Sequence, residues 1–267
     1  MTEWWQGFQD VDSSAESKKF LNFMEAANKN QDILRYRELM TELCPLRDGT
    51  RILDVGCGMG QEARRLAGLV RPSGRVVGFD RSEAMIAEAC AADGADVETL
   101  EFQVGDAHAM EFHNGMFDLV RSERVLVYAD DPLQVIAEMA RVVKPDGRVM
   151  SYEFDHLGVF IDSDMDELTR RIERAIQSGP PNPKIARQLP YYYRRAGLRV
   201  EHIVPFTCRM PREVVRGAYG PPLEKAVEAG DISREELSAW WQDQELMERN
   251  GQSFFGHSGF IVVGSKI

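Results

Sequence analysis

The residues best suited to chemistry lie in the segment RILDVGCGMG, which spans residues 51–60. A short apolar run ends there in three glycines at alternate positions, Gly56, Gly58 and Gly60, and the segment that follows is typical of a helix. A strand that turns through glycines into a helix brings bare backbone close to a ligand. Asp80 ends the next apolar run, where a carboxylate in a doubly wound sheet hydrogen-bonds ribose hydroxyls. The pattern predicts a site for a nucleoside-containing cofactor.

Two details of the turn separate the candidate cofactors. The dinucleotide fingerprint G-x-G-x-x-G ends in a glycine that packs the helix on the strand, but Gln61 occupies that position here. Asp54 lies inside the strand, where a carboxylate is poorly placed beside a pyrophosphate and better suited to a cationic group. An NAD(P)-dependent oxidoreductase is therefore disfavoured, although it stays an alternative.

The pattern xDxGxGxG resembles motif I of the class I S-adenosylmethionine (SAM) methyltransferases. Three later segments are similar to further motifs of that family: VVGFDRSEAMIAEA (76–89), VGDAHAMEF (104–112), and the fourth strand with its loop and helix (117–149). All four motifs occur in the family's order. The chain is therefore identified as a member of the class I family, similar to the small-molecule type that includes the menaquinone and ubiquinone C-methyltransferases.

The resemblance implies an α/β fold with a Rossmann-like sheet of seven strands in the order 3-2-1-4-5-7-6, the last strand antiparallel. Helices should cover both faces, and a helical lid should cover the site. Alternating strand and helix patterns also indicate parallel strands joined by right-handed crossovers. We expect one methyltransferase domain over residues 1–267, divided into an N-terminal helical lid (1–45), a SAM-binding core (46–157) and a C-terminal part (158–267).

The strands that must position the site are expected at 51–55, 75–80, 100–104, 116–121, 147–154, 198–206 and 259–264. Residues 210–251 form a connection too long for a hairpin. Ser233 and Glu236 have the spacing of a capping box, which starts a helix. We therefore expect a helical insertion at 210–251.

The resemblance also implies the contacts with SAM. Asp80 is expected to bind both ribose hydroxyls, Asp106 to accept a hydrogen bond from the adenine amino group, and the Ala107 N–H to donate to the ring. Asp54 is expected to act on the amino or carboxyl end of the methionine moiety, directly or through water. The remaining expected cofactor contacts are the turn glycines and three pocket walls: Gly56, Gly58, Gly60, Arg81, Met85 and Ser122.

Methyl transfer from a sulfonium releases a neutral leaving group, so the enzyme mainly has to align the reactants in a dry cavity. A general base is needed only where the acceptor is a hydroxyl or an acidic carbon. The candidate catalytic residues are Tyr128 and His156, which follow strands four and five at the ligand-binding edge of such sheets. Relatives often carry histidine at the position of Tyr128. The tyrosine in this chain therefore argues against a mechanism that uses a histidine there. Glu123 and Arg124 form either a structural ion pair or part of the acceptor loop.

Aromatic residues are frequent in the segments outside the core. They include Trp4, Trp5, Phe8, Tyr191, Tyr192, Tyr193, Trp240 and Trp241. In relatives, the N-terminal helices and the insertion before strand seven cover the acceptor pocket. We expect these segments to form an acceptor lid, with packing in the core as the alternative role of the aromatic residues.

The amino-acid composition limits the kinds of partner that the protein is expected to bind. The net charge of −11 and the lack of a basic patch argue against nucleic acid and an RNA methyltransferase. The four cysteines form no C-x-x-C pair, so neither a metal site nor a disulfide framework is indicated, and free thiols fit a cytoplasmic location. No apolar run has the length of a membrane span. The expected partner is a small-molecule methyl acceptor; a homodimer, a protein substrate and non-catalytic SAM binding stay open.

Overall fold

The computed structural model describes residues 12, 24, 25, 27–92 and 98–267. The strands in these ranges are β1 (Arg51–Val55), β2 (Arg75–Asp80), β3 (Leu100–Val104), β4 (Phe117–Glu123), β5 (Val143–Ile161), β6 (Leu198–Arg209) and β7 (Phe255–Lys266). The helices are α1 (Gln31–Leu43), α2 (Gln61–Leu69), α3 (Glu83–Ala91), α4 (Pro132–Val142), α5 (Asp166–Gln177), α6 (Ile185–Arg195), α7 (Arg212–Glu228) and α8 (Arg234–Arg249), with a short 3-10 helix at Leu126–Tyr128.

The strands form one sheet in the order β3-β2-β1-β4-β5-β7-β6. Strands β1 to β5 pair in parallel, whereas β7 is antiparallel to both β5 and β6. The predicted order and the antiparallel last strand are confirmed. The predicted bounds of β1, β2 and β3 also match the structure. Strand β5 is longer than predicted, because it continues to Ile161 and pairs there with Phe255 of β7.

Both faces of the central strands β1, β2, β4, β5 and β7 are buried. Alternate residues of a strand face opposite sides, and neighbouring strand residues accordingly belong to different apolar clusters. Leu53 and Val77 lie in one cluster, and Ile52 and Val76 lie in the other. Helices cover each side, which leaves the carboxyl ends of the parallel strands as the edge at which a ligand can bind.

The helices start where capping residues predict. The Ser82 hydroxyl accepts a hydrogen bond from the Met85 N–H at the start of α3, and Asp131 caps α4 in the same way. The capping box of Ser233 and Glu236 is complete at the start of α8. Side-chain caps of this kind satisfy backbone N–H groups that have no partner within the helix.

A third apolar cluster, here called the insertion cluster, lies beyond the sheet. Helices α7 and α8, which lie within residues 210–251, pack there with α5 around the buried Trp240. Val159 of β5 and Phe255 of β7 join the cluster. The extended ends of β5 and β7 therefore form the base on which these helices rest.

Trp4, Trp5 and Phe8 lie outside the described residues, so their lid role stays a prediction. Within the ranges that the structure describes, no helix has the length and apolar character needed to cross a bilayer.

Candidate functional site

A cavity of about 310 Å³ opens at the carboxyl ends of the parallel strands. Each of four neighbouring strands contributes to its lining: Gly56 follows β1, Asp80 and Glu123 end β2 and β4, and Glu153 lies within the longer β5. Ligands of open α/β sheets bind outside this edge. The cavity therefore lies where the topology predicts a binding site.

The glycine turn forms one wall of the cavity. Gly56 and Gly58 line it, and both have a positive φ, of 70° and 52°. A Cβ at Gly56 would lie 2.2 Å from Cγ2 of Val125, so a side chain there would push the loop after β4. Gly60 lies outside the lining, because it precedes α2 and packs on the ring of Phe102. Gly60 is thus the N-cap of α2, and its contact with the cofactor stays a prediction.

Asp80 is fixed by two backbone N–H groups. Gly58 donates to Oδ2 at 2.8 Å, and Ser82 donates to Oδ1 at 3.0 Å. Burial raises the pKa of this carboxyl group. A carboxylate offers about four acceptor positions, so each oxygen keeps capacity for one further donor. The predicted pair of ribose hydroxyls would supply these two donors.

Asp106 lies at one end of the cavity, with its carboxylate held against the following turn. Its Oδ1 accepts hydrogen bonds from the His108 N–H at 2.9 Å and from the His108 ring at 2.7 Å. The backbone N–H of His108 contributes most to a lowered pKa of Asp106. An ionised acceptor here can bind an amino group. The other predicted cofactor residues at this end that line the cavity are Arg81, Met85 and Ala107.

Asp12 closes this end of the cavity from the N-terminal side. Its carboxylate accepts hydrogen bonds from the Ser82 hydroxyl at 2.6 Å and from the backbone N–H groups of Glu83 and Ala84 at 2.8 and 3.0 Å. A negative charge is stabilised at a helix N-terminus. Sequence reasoning missed this contact, because an isolated Asp in the N-terminal segment carries no motif.

Two further predicted cofactor residues lie outside the cavity lining. Asp54 is 3% exposed and accepts a hydrogen bond of 3.0 Å from Arg121, so its charge is already paired. A direct contact with the methionine moiety is therefore not favoured, and a contact through water stays a prediction. Ser122 is fully buried, and its hydroxyl bonds that of Ser151 at 2.8 Å. This corrects the expected pocket wall: Ser122 faces the core, on the opposite side of β4 from Arg121.

A buried ion network lies beneath the cavity. Arg121 donates to Glu123 Oε2 at 2.8 Å and lies 3.6 Å from Glu62 Oε1. Arg37 of α1 donates to Glu123 Oε1 at 2.8 Å. Burial alone would raise the pKa of Glu123, but the guanidinium groups of Arg37, Arg124 and Arg121 hold it well below its usual range. Glu123 and Arg124 also form an ion pair at 3.4 Å, and both line the cavity, so both roles considered for them stay open.

Residues from three elements meet at the other end of the cavity, here called the acceptor end. Tyr128 comes from the 3-10 helix, His156 from β5, and Tyr219 from α7. Burial, with a smaller effect of His257, lowers the pKa of His156 well below its usual range, so the ring is neutral at neutral pH. The two residues predicted as catalytic, Tyr128 and His156, are thus brought to one cavity with the predicted cofactor residues.

Glu153 and Arg124 also line the acceptor end. Glu153 is fully buried, and its Oε1 accepts hydrogen bonds from the N–H groups of Val125 and Leu126 at 2.9 and 2.7 Å. Burial raises its pKa to about 7. Arg124 has a φ of 58°, which non-glycine residues rarely adopt. Sequence reasoning did not single out Glu153, because a glutamate within a strand is more often solvent-exposed.

The described residues contain no group of three or more His, Cys, Asp or Glu side chains placed to hold a metal ion. The lining of the cavity supplies carboxylates, guanidinium groups, hydroxyls and a neutral imidazole. These groups can bind a polar cofactor at one end of the cavity and move a proton at the other.

Comparison with known proteins agrees with this geometry. Residues 46–197 match a family model described as a methyltransferase domain. The chain is 35% identical over 173 residues to an uncharacterized 37.1 kDa protein in transposon TN4556 of Streptomyces fradiae. The aligned segment covers 64% of this chain and 50% of that protein. The chain is also 42% identical over 110 residues to a demethylmenaquinone methyltransferase of Lactococcus lactis. This alignment covers 40% of this chain and 43% of the relative.

A solved structure shows the same fold. A putative methyltransferase from Bacillus halodurans superposes with a TM-score of 0.61 and 18% identity, covering 86% of this chain and 99% of that one. At this identity the likeness concerns the fold alone. In sequence, the chain spans half or less of the length of the two curated relatives described above.

Proposed function

The chain belongs to the class I SAM-dependent methyltransferases, and from that premise we propose that it transfers a methyl group from SAM to a small organic acceptor by in-line displacement. The observation that carries the proposal is one cavity with two chemically different ends. Gly58, Asp80 and Asp106 border one end, and Glu153 and His156 border the other. A methyl donor and an acceptor bound in such a cavity can meet directly.

The cofactor end supports SAM binding in three ways. The spare acceptor positions of Asp80 suit two neighbouring ribose hydroxyls. The ionised carboxylate of Asp106 suits the adenine amino group, and Ala107 beside it can donate its backbone N–H. Gly56 and Gly58 present backbone without side chains, which permits close approach of the methionine moiety. When bound, SAM supplies an electrophilic methyl group on its sulfonium.

The acceptor end supports a small and largely apolar substrate. Val214, Ala218 and Tyr219 of α7 form one wall. Ala27 and Ile33 line the cavity from the N-terminal side. Walls from both segments that were expected to form a lid fit the role of orienting the acceptor and excluding water. Tyr128 and His156 stay the predicted substrate contacts.

Isothermal titration calorimetry tests the proposal. The protein should bind SAM and S-adenosylhomocysteine, and it should bind neither NAD nor NADP. Mass spectrometry should then detect S-adenosylhomocysteine formed when SAM is incubated with a panel of small phenols, amines and carbon acids. Binding of NADP without SAM would overturn the proposal, and SAM binding without turnover on any acceptor would favour the non-catalytic alternative.

A further inference from the structure

Two polar atoms that belong to charged side chains at the acceptor end have no hydrogen-bond partner in the described part of the chain. They are Oε2 of Glu153 and Nε of Arg124, and both are buried. Burying an unpaired polar atom is costly, and native structures satisfy nearly all of them. Both residues line the same cavity. A ligand that offers a proton to Glu153 and an acceptor atom to Arg124 would satisfy both.

The position of Glu153 makes it a preorganised base. Its Oε1 is committed to the Val125 and Leu126 N–H groups, and the side chain is fully buried, so the carboxyl group is held in place. The other oxygen is left for the ligand. Strand β5 supplies the rigid support, since Tyr152 beside it pairs with the end of β4.

Arg124 is held in place from both sides. Its N–H donates to the Tyr152 carbonyl at 2.8 Å, and its Nη2 lies 3.4 Å from Oε1 of Glu123. The left-handed backbone at Arg124 is a conformation that persists only where the surroundings enforce it, and such residues cluster at functional sites. Glu123 is already paired with Arg37 and Arg121, so the charge of Arg124 is only partly compensated.

We propose that Glu153 is the general base of methyl transfer and that Arg124 binds the oxyanion that it creates, so that the acceptor is an ionisable hydroxyl such as a phenol. This inference rests on the proposed function. Oε2 of Glu153 takes the hydroxyl proton, and the electron pair stays on the acceptor oxygen. That oxygen forms a bond to the methyl carbon while the carbon–sulfur bond of SAM breaks. The pair of that bond goes to sulfur, which leaves as neutral S-adenosylhomocysteine.

The electrostatics around Glu153 agree with this role. A general base works best when its pKa lies near the working pH, and burial places that of Glu153 at about 7. The groups that face it are Arg124, Tyr128 and Tyr193, while Glu123 and His156 border the same cavity. Burial keeps Tyr128 protonated and makes His156 a weak base. Glu153 is therefore the strongest base that the acceptor end offers near neutral pH.

The test uses the full chain saturated with S-adenosylhomocysteine and the probe 3-nitrophenol, whose phenolate is yellow and whose pKa lies above that of Glu153. At a pH between the two pKa values, where Glu153 is ionised and the free probe is not, the wild-type protein should bind the probe and generate the phenolate colour. The matched probe 3-nitroaniline, which has no hydroxyl, should bind at least about tenfold more weakly. Equal binding of the two probes, or no binding of 3-nitrophenol, would contradict the proposal.

Substitutions at Glu153 and Arg124 test the role of the base and the binding of the oxyanion separately. Glu153→Gln keeps an oxygen for Val125 and Leu126 but cannot take the proton, so the phenolate colour should be lost while the affinity for S-adenosylhomocysteine stays within a few-fold. Arg124→Met should weaken binding of the probe by about tenfold or more, and Arg124→Lys should restore part of it. Glu201→Gln, a carboxylate paired with Arg148 far from the cavity lining, serves as the control and should behave like wild type.

The outcomes distinguish a failure of the proposed function from a failure of the proposed role of Glu153. If S-adenosylhomocysteine does not bind, the proposed function fails. If it binds normally and Glu153→Gln still ionises the probe, only the role of Glu153 is refuted. Thermal denaturation of each variant shows whether the protein remains folded, and a folded Glu153→Gln protein that keeps the colour is decisive against the base.

Discussion

The backbone N–H of Gly58 donates a hydrogen bond of 2.8 Å to Oδ2 of Asp80. This bond joins the glycine turn after β1 to the end of β2, so the two predicted features of the cofactor site form one unit. It also leaves Asp80 with acceptor positions for a ligand rather than consuming all of them. Asp80 is therefore both a support of the turn and the predicted ribose contact.

Replacing Asp80 by alanine should weaken SAM binding by at least tenfold to a hundredfold. Hydrogen bonds to a charged group contribute about 1.5–3 kcal/mol each, and tenfold in affinity corresponds to about 1.4 kcal/mol. The measurement is titration calorimetry with SAM and S-adenosylhomocysteine. Asp164→Ala removes a carboxylate from an exposed position and should leave the dissociation constant unchanged. A wild-type dissociation constant for SAM in Asp80→Ala would show that Asp80 only supports the turn.

Asp106 should be sensitive to the loss of its charge and, more strongly, to the loss of its oxygens. Asp106→Asn keeps an acceptor but its amide can flip, so SAM binding should weaken modestly. Asp106→Leu removes the acceptor and should weaken binding by about tenfold or more. Adenosine binding by calorimetry isolates the effect on this end of the cofactor. Wild-type affinity in both variants would place the adenine elsewhere.

Arg121→Met should destabilise the fold by about 3–5 kcal/mol, because removing one partner of a buried ion pair leaves uncompensated charge. Arg121 is 1% exposed and bonds both Asp54 and Glu123. Urea unfolding measures the change in the free energy of unfolding. Arg170→Met removes an exposed arginine of an ion pair with Glu167 and should cost less than about 1 kcal/mol. Equal stability of the two variants would show that the network contributes little.

Glu153→Gln should change how stability depends on pH. The carboxyl has an ordinary pKa of 4.5 and a folded-state pKa of about 7, so between these values the folded protein holds more protons than the unfolded chain. Its contribution to the free energy of unfolding therefore falls as the pH rises through this window. The variant has no carboxyl group to titrate and therefore lacks this loss. Between about pH 4.5 and pH 7, its free energy of unfolding should rise by about 1–3 kcal/mol relative to that of wild type. Urea unfolding at both ends provides the measurement. A constant difference between the two proteins would show that Glu153 titrates normally.

Filling the acceptor end should reduce turnover without affecting the cofactor. Ala218 lines the cavity from α7 and is 5% exposed. Ala218→Trp should leave the affinity for S-adenosylhomocysteine within a few-fold and lower methyl transfer to an acceptor identified by screening by about tenfold or more. Ala226→Trp, in the same helix but outside the lining, controls for the cost of overpacking. An equal loss of cofactor affinity in Ala218→Trp would place α7 over the cofactor instead.

The elements of the sheet could be predicted because their signals are local. Strands β1 and β2 are short apolar runs, of which the first is followed by Gly56 and the second ends in Asp80, and their burial on both faces leaves no competing pattern. The capping residues Ser82, Asp131 and Ser233 act within one turn of chain. The extra length of β5 could not be read in this way, since its outer part is stabilised by β7, almost a hundred residues later.

The polar part of the site was harder to predict, because it depends on which face of a strand is covered. Arg121, Ser122 and Glu123 form a polar run at the end of β4 that resembles a solvent-exposed segment, yet α1 covers Arg121 and Glu123 with Arg37. A usable signal was present in the register: Asp54 of β1 lies directly beside Arg121 of β4. The alternation of side chains along β4 turns Ser122 toward Ser151 and Tyr193 in the core. Once β1 is paired with β4 in this register, Arg121 and Ser122 fall on opposite faces of β4.

The insertion cluster has its own apolar centre around Trp240, and it meets the sheet through the outer ends of β5 and β7. Cofactor recognition and substrate recognition therefore draw on largely separate sets of buried contacts. Substitutions in α7 can reshape the acceptor end while Gly58, Asp80 and Asp106 keep their partners. Under the proposed function, the acceptor end could therefore be redesigned for another substrate through α7 alone, with the sheet and its cofactor end left as they are.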